Sequence, residues 1–378
     1  MLRRLLFTLL SLVAIAAHAT HNRAGEITFE YVGPYPALTY KITILTYTRT
    51  SSTQADRPSL DSVYFGDNSP SAIFYRTSKT NLGNDISKNT YVGYHTYPGN
   101  GTFVIRFEDP NRNEGVVNIP SSIDVPFYVE STLIIDPYRF PNNSPVLTYP
   151  PIDRGCVGRR FIHNANAYDP DGDSLSYELT VCRGTAGLPI PGYTFPNASF
   201  TLDSITGDLV WDAPIQTGEY NVAFKIVSWR RGVNLGYVVR DMQILIGNCS
   251  NLPPVIDPVN DTCALAQDSI GFDVTAIDPN GNRVQLSATG GPFEVSNSAT
   301  FTAIQFNNDT AISRFSWITD CDNVRIQPYY VQFKAQDVVP IDSIPLVSLE
   351  GAFIRVIGPP PAALQATASG NSITLDWQ

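Results

Sequence analysis

Charge is scarce in this chain. Only 16% of its 378 residues are Asp, Glu, Lys or Arg, while 43% are hydrophobic; an average soluble protein carries about 25% charged residues. Disorder is excluded, because it needs high charge and few apolar groups. Positive charge is the scarcer sign, with 25 basic residues against 35 acidic and a formal charge of −10. Arg3 and Arg4 lie in a leader described below, which leaves 23 against 35, or −12. With no basic patch to neutralise phosphates, nucleic acid is excluded as a partner. Histidine is reduced to four residues. His18 belongs to the leader, and His21, His95 and His163 sit in no His-Glu-x-x-His and beside no Gly-x-Ser-x-Gly elbow, so catalytic candidates are thin.

Long apolar runs are also missing after the N-terminus. Residues 1–19 combine Arg3-Arg4, an apolar stretch from Leu5 to Ala17, and the small-x-small end Ala17-His18-Ala19, the pattern of a signal peptide, with Thr20 as the expected first mature residue. No later stretch reaches the ~18 to 20 apolar residues that span a bilayer. Export to a secreted or cell-surface location follows as the expectation. There disulfides persist. The five cysteines (Cys156, Cys182, Cys249, Cys263, Cys321) are an odd number, so at least one stands outside any intrachain pair.

What the chain has in quantity is turn and sheet formers: 29 Pro, 26 Gly, 19 Tyr and 19 Phe. Pro and Gly break helices and aromatics favour pleated sheets, which predicts an all-β fold. Length alone predicts about three domains at roughly 100 to 150 residues each.

In residues 20–143, Tyr40 to Thr48 reads as a strand, followed by Val63-Tyr64-Phe65-Gly66-Asp67-Asn68 and by His95-Thr96-Tyr97-Pro98-Gly99-Asn100-Gly101-Thr102-Phe103. These pieces resemble the polycystic-kidney-disease-type (PKD-like) β-sandwich, which implies a structural hydrogen bond for His95. Residues 144–248 contain Asp169-Pro170-Asp171-Gly172-Asp173-Ser174-Leu175-Ser176-Tyr177, then Asp203-Ser204-Ile205-Thr206-Gly207-Asp208-Leu209-Val210-Trp211, then Gly218-Glu219-Tyr220. That order is similar to the cadherin-like or Ig-like domains of bacterial surface proteins. Residues 249–358 repeat the plan with Asp278-Pro279-Asn280-Gly281-Asn282 and Trp317. Asp169 and Asp278 lie 109 positions apart, so the sequence predicts a tandem array of Ig-like, cadherin-like β-sandwiches, with Trp211 and Trp317 as equivalent core residues. Residues 359–378 resemble the first two strands of a fibronectin type III domain and stop mid-strand, as expected of the N-terminal part of a longer array.

Three further segments, Thr20 to Phe29, Asp109-Pro110-Asn111-Arg112-Asn113 and Arg240-Asp241-Met242-Gln243-Ile244, resemble the large secreted proteins of gliding Bacteroidota. That resemblance implies export by the type IX route and a gliding-motility association.

The acidic loop is the candidate ion site. Asp169, Asp171 and Asp173 set three carboxylates at alternate positions round a glycine, and hard oxygen ligands at that spacing suit calcium; the bland reading is a solvated Pro-Asp-Gly turn. Asp278, Asn280 and Asn282 keep the geometry with one charge in place of three, which makes calcium weaker there, and Asp109 to Asn113 places Arg112 inside the loop. Cys156 and Cys182 map to the pole opposite the acidic loop, so a bond closing about 27 residues would contribute roughly 3.5 kcal/mol. Cys263 and Cys321 meet similarly in the third domain, closing about 59 residues for roughly 4 kcal/mol, with Cys249 as the unpaired remainder. Swapped pairings stay open, because sequence does not fix connectivity.

The reading that follows is a non-enzymatic exported spacer or adhesion protein, calcium-stabilised if the acidic loop binds, with an unidentified surface protein or glycan as partner. Two others stand beside it: the accessory region of a larger secreted hydrolase, and carbohydrate binding through Tyr35, Tyr91, Tyr94 and Tyr97.

Overall fold

The computed structural model of the chain describes residues 22–196, 199–306, 309–340, 343–360 and 365–376. The expected leader at 1–19, with Thr20 and His21, lies outside the described residues. Strands dominate, and the only helical segments among the described residues are four three-residue 3₁₀ turns. The all-β expectation holds. The chain divides into two units: the first runs to Asn251 and takes in Pro340–Leu346, and the second holds Leu252–Val339 and Val347–Gln378.

The first unit opens with β1 (Asn22–Tyr31), β2 (Leu38–Arg49), β3 (Ser59–Tyr64), β4 (Ala72–Gly83), β5 (Ile86–Tyr97), β6 (Gly101–Asp109) and β7 (Phe127–Ile135). In place of the two-sheet PKD-like body, these form one antiparallel run in the order β1-β2-β5-β4-β3-β6-β7. The run curls until its end strands are neighbours, with Ser131 on β7 donating to the Ile27 carbonyl on β1 at 2.6 Å. Alternation dictates what fills the interior: Ile27 and Phe29, Tyr40, Ile42 and Ile44, Val129 and Leu133 point inward and are buried together.

The same unit continues with β8 (Val146–Leu147), β9 (Ile152–Cys156), β10 (Phe161–His163), β11 (Ala167–Tyr168), β12 (Ser174–Thr180), β13 (Phe200–Leu202), β14 (Leu209–Trp211), β15 (Gly218–Arg230) and β16 (Val233–Gly247). One sheet has the order β10-β14-β13 and the other β9-β16-β15-β12, with β9 parallel to β16. This is the strand plan of an Ig-like sandwich. Phe161, Leu209, Trp211, Tyr220, Phe224 and Ile244 fill the space between the sheets.

The expected boundary at 143/144 separates two bodies by sequence only. Strand β16 pairs with β15 along one edge, while its other edge serves three strands in succession: β7 at Gly236–Val238, β1 at Arg240–Asp241 and β9 from Gln243 to Gly247. The first body and the sandwich thus share an 11-stranded sheet, and the two expected domains 20–143 and 144–248 are one unit. The approach of β7 to β16 needs a glycine: Gly236 has φ +119° and a Cβ there would sit 2.0 Å from the Thr132 carbonyl oxygen.

The second unit holds β17 (Val255–Ile256), β18 (Thr262–Leu265), β19 (Ser269–Ile277), β20 (Arg283–Gly290), β21 (Thr300–Phe306), β22 (Thr310–Ile318), β23 (Tyr329–Val338) and β24 (Val347–Ile357). They form two four-stranded sheets, β17-β19-β22-β21 and β18-β24-β23-β20, the same Ig-like plan with β18 parallel to β24. The repeat extends to side chains. Trp211 meets Tyr220 edge-on at 4.8 Å and 78°, and Trp317 meets Tyr329 at 4.9 Å and 77°, so both tryptophans are core as expected. Beyond this sandwich, β25 (Gln365–Ser369) and β26 (Ser372–Asp376) make an exposed two-stranded hairpin.

Candidate functional site

The three aspartates of the acidic loop do converge, with carboxylate oxygens within 4.8 Å of one another. Gly172, at φ +77°, lets the chain reverse between β11 and β12. Asp169 is the buried member. Its Oδ1 accepts the backbone N–H groups of Asp171 (2.9 Å) and Asp173 (3.3 Å), and its Oδ2 accepts the Ser228 hydroxyl at 2.9 Å. Burial pushes its carboxyl up to about 6, reinforced by the neighbouring Asp173 charge.

The cation beside these acids is Arg230. Its Nε and Nη2 donate to the two oxygens of Asp173 at 2.8 and 2.7 Å, and Nη2 lies 3.2 Å from Asp171. Asp171 in turn accepts the backbone N–H and side-chain amide of Asn143, both at 2.7 Å, while Arg230 Nη1 donates to the carbonyls of Arg139 and Pro141. The loop and the guanidinium together grip residues 139–143, the link between the curled body and the sandwich. Calcium requires six to eight oxygen ligands, and here each carboxylate already accepts protein donors, with a positive charge in place. The residues fit a guanidinium, and a calcium ion does not fit while Arg230 is seated.

The second loop repeats the grip with a single carboxylate. Asp278 Oδ1 accepts Asn280 N–H at 2.8 Å and Asn282 N–H at 2.9 Å, Gly281 again has φ +77°, and Asn280 Oδ1 accepts Leu252 N–H at 2.7 Å. Both loops therefore capture the chain 28 residues upstream, as it enters its own sandwich. That is a turn's function, held by Asx hydrogen bonds.

Sequence reasoning missed the larger polar cluster, where the first unit's two bodies meet. Arg112, from the loop after β6, points inward. Its Nη1 and Nη2 donate to Asp241 on β16 at 3.0 and 2.5 Å, and Nη2 also reaches the Arg183 carbonyl. Asn221 on β15 donates to Asp241 and to the Arg23 carbonyl; Gln243 bridges Asn113 and Asn221; Asn113 donates to Glu219, which also accepts from Arg23 at 2.8 Å. Beside it Arg240 donates to Glu26 at 2.6 Å and to the Tyr149 carbonyl. Arg112, Arg240, Asp241 and Glu26 are all buried, where an unpaired charge would cost several kcal/mol. Described parts of the three segments that resembled gliding-bacterium proteins meet here: Arg23 and Glu26, Arg112 and Asn113, and Arg240 to Gln243. A signal was present: Arg240, Asp241 and Gln243 interrupt an otherwise apolar run in a long strand, which marks polar groups with partners across the sheet.

The cysteines pair differently from the expectation. Cys156 bonds to Cys249, while Cys182 is a buried free thiol and Cys263 and Cys321 are exposed free thiols. Sheet order explains the first change. Cys156 sits on β9 opposite Gly247 of β16, two residues before Cys249, whereas Cys182 follows β12, three strands across the β9-β16-β15-β12 sheet. Three strand spacings of about 4.8 Å exceed the ~7 Å limit between disulfide Cα atoms. Burial raises the Cys182 thiol pKa well above its ordinary value.

His95 makes the structural hydrogen bond expected of it, and its partner is Asp67 in the Gly-Asp turn. Its Nε2 lies 2.7 Å from Asp67 Oδ2 and its ring stacks on Phe65 at 3.9 Å. Ser69 donates to the other Asp67 oxygen at 2.5 Å, so serine and histidine share one carboxylate. Burial alone would raise the Asp67 pKa, but these bonds outweigh it and hold the group at about 2. Of the four tyrosines considered for sugar binding, Tyr91 and Tyr97 belong to the core, and Tyr35 and Tyr94 are exposed. Tyr91 and Tyr97 occupy inward strand positions and donate to the carbonyls of Arg57 and Phe65.

No family model matches the chain, and no curated protein matches it. Among solved structures it is similar to the tandem Ig repeats of Dlar (11% identity over 57% of this chain and 98% of that one, TM-score 0.25). It is also similar to a Dpr2 Ig1-Ig2 complex with DIP-Theta Ig1-Ig3 (8%, 88% and 99%, TM-score 0.20) and to an I-band fragment of titin (10%, 88% and 98%, TM-score 0.19). At those scores the Ig-like assignment stands on the strand order of the two sandwiches.

Proposed function

We propose that this chain is a non-enzymatic, exported spacer and adhesion module whose first unit acts as one stiff piece. The observation that carries the reading is strand β16, which holds β7, β1 and β9 on one edge and β15 on the other. A joint made of continuous sheet and buried ion pairs resists bending far better than the polar interface usual between domains. The Cys156–Cys249 bond supports an oxidising compartment, and the paired, stacked state of His95 supports a structural role for the best-placed histidine.

Pulling the full chain by its ends tests this. The expected record has one rupture for the whole of residues 22–251, at roughly 3.4 Å of released length per residue, shortened by the loop that the disulfide closes. Separate ruptures for residues 22–143 and 144–251 would overturn it.

A further inference from the structure

A cleft of about 400 Å³ opens in the first unit between the outer face of β1/β2 and the short β8/β11 ladder, within the size range of small-ligand sites. We infer that this cleft is a subsite for a neutral sugar. The inference rests on the adhesion reading above and names its ligand class.

One wall is polar. With Ile27, Phe29, Ile42 and Ile44 turned into the core, Thr28 and Glu30 must face outward from β1, opposite Thr43 and Lys41 of β2. They offer two hydroxyls, a carboxylate and an ammonium, with successive groups about 7 Å apart along each strand. Lys41 Nζ lies 3.0 Å from Glu30, so the two charges cancel and the wall attracts neither anion nor cation. It can still both donate and accept. The opposite wall, from Val146, Tyr168 and Pro170, is mainly apolar. A pyranose ring has the matching chemistry: hydroxyls on its rim for the polar wall and C–H groups on its face for the tyrosine and proline.

A peptide is the poorer match, because strand addition needs a free edge. The cleft end of β1 has none: one edge pairs with β2, and on the other Phe29 N–H donates to the Ser144 hydroxyl at 2.9 Å, Ser144 N–H to the Phe29 carbonyl and Tyr31 N–H to Asn143 Oδ1. Both walls are fixed before any ligand arrives. Pro170 belongs to the loop locked by Asp171–Asn143 and Arg230, so little ordering cost remains on binding.

Calorimetric titration of the full chain with mannotriose, cellotriose and N-acetylchitotriose tests the inference, with a heparin-derived trisaccharide as the charged arm. At least one neutral sugar is expected to bind. Thr43→Trp, which fills the cleft from an outward position, should abolish that heat, and Glu30→Gln should raise the dissociation constant about tenfold through one lost charge-assisted hydrogen bond. Thermal melts of both variants matching the parent chain establish that they fold. No heat with any neutral sugar, undiminished heat in folded Thr43→Trp, or binding of the heparin fragment alone would each overturn it. The stiffness of the first unit is read separately by its rupture pattern, so either result can fail without the other.

Discussion

Arg112 and Asp241, 129 residues apart, meet as a two-pronged ion pair with side chains 0% and 1% exposed. Truncating one partner strands the other charge in the joint. Arg112→Ala is therefore expected to lower the first unit's stability by about 3 to 5 kcal/mol, whereas Arg112→Met combined with Asp241→Leu should recover most of that loss. Denaturant melts of the full chain check this. The second unit's transition should stay in place in both variants.

The disulfide gives a second prediction. Cys156 and Cys249 are separated by 93 residues, and closing a loop of that length contributes about 4.7 kcal/mol in the chain-entropy model. Cys156→Ala with Cys249→Ala should lower the first unit's transition and leave the second's alone. Thiol labelling of the native chain, read by peptide mass spectrometry, should modify Cys263 and Cys321 and spare Cys182 until the chain is denatured.

Arg230 and a calcium ion would compete for the same carboxylates. Millimolar calcium is expected to leave the melting temperature of the parent chain unchanged, because the guanidinium already pairs with Asp171 and Asp173. Arg230→Gln should melt earlier without the ion and regain part of the loss when calcium is added. A calcium-dependent rise of several degrees in the parent chain would show that the arginine gives way to the ion.

Acidification should act on two aspartates with opposite sign. Asp67 sits at about 2 in the fold against about 3.9 unfolded. Its contribution is therefore complete above pH 4 and lost as pH falls toward 2. Asp169, at about 6, is raised, so the folded chain takes up its proton first. The stability it governs is fully present below pH 4 and lost as pH rises through 6. Melts across pH 2 to 7 should find that Asp67→Asn flattens the acid limb and Asp169→Asn flattens the limb between 4 and 6.

Local signals in the sequence were dependable. The structural hydrogen bond expected of His95 is present, with Asp67 as its partner, and the 109-residue spacing of Asp169 and Asp278 reappears in their matching turns. Trp211 and Trp317 likewise reported their own burial. What stayed hidden depends on edges. Nothing near Gly25 announces that its backbone faces Asp241, because sheet hydrogen bonds are made by groups every residue carries. The same holds for Cys156, whose partner was decided by which strand lies beside β9. Arg112 carries no local mark of burial, since its partner is supplied from far along the chain.

The placement of β1 also sets a schedule for assembly. Glu26 and Arg240 are 214 positions apart, so β1 cannot find its seat until β16, made long after it, is present. Contacts of such range close slowly, and the waiting strand presents Ile27 and Phe29 to whatever surrounds it. A chaperone that shields such a strand would have its longest task at β1.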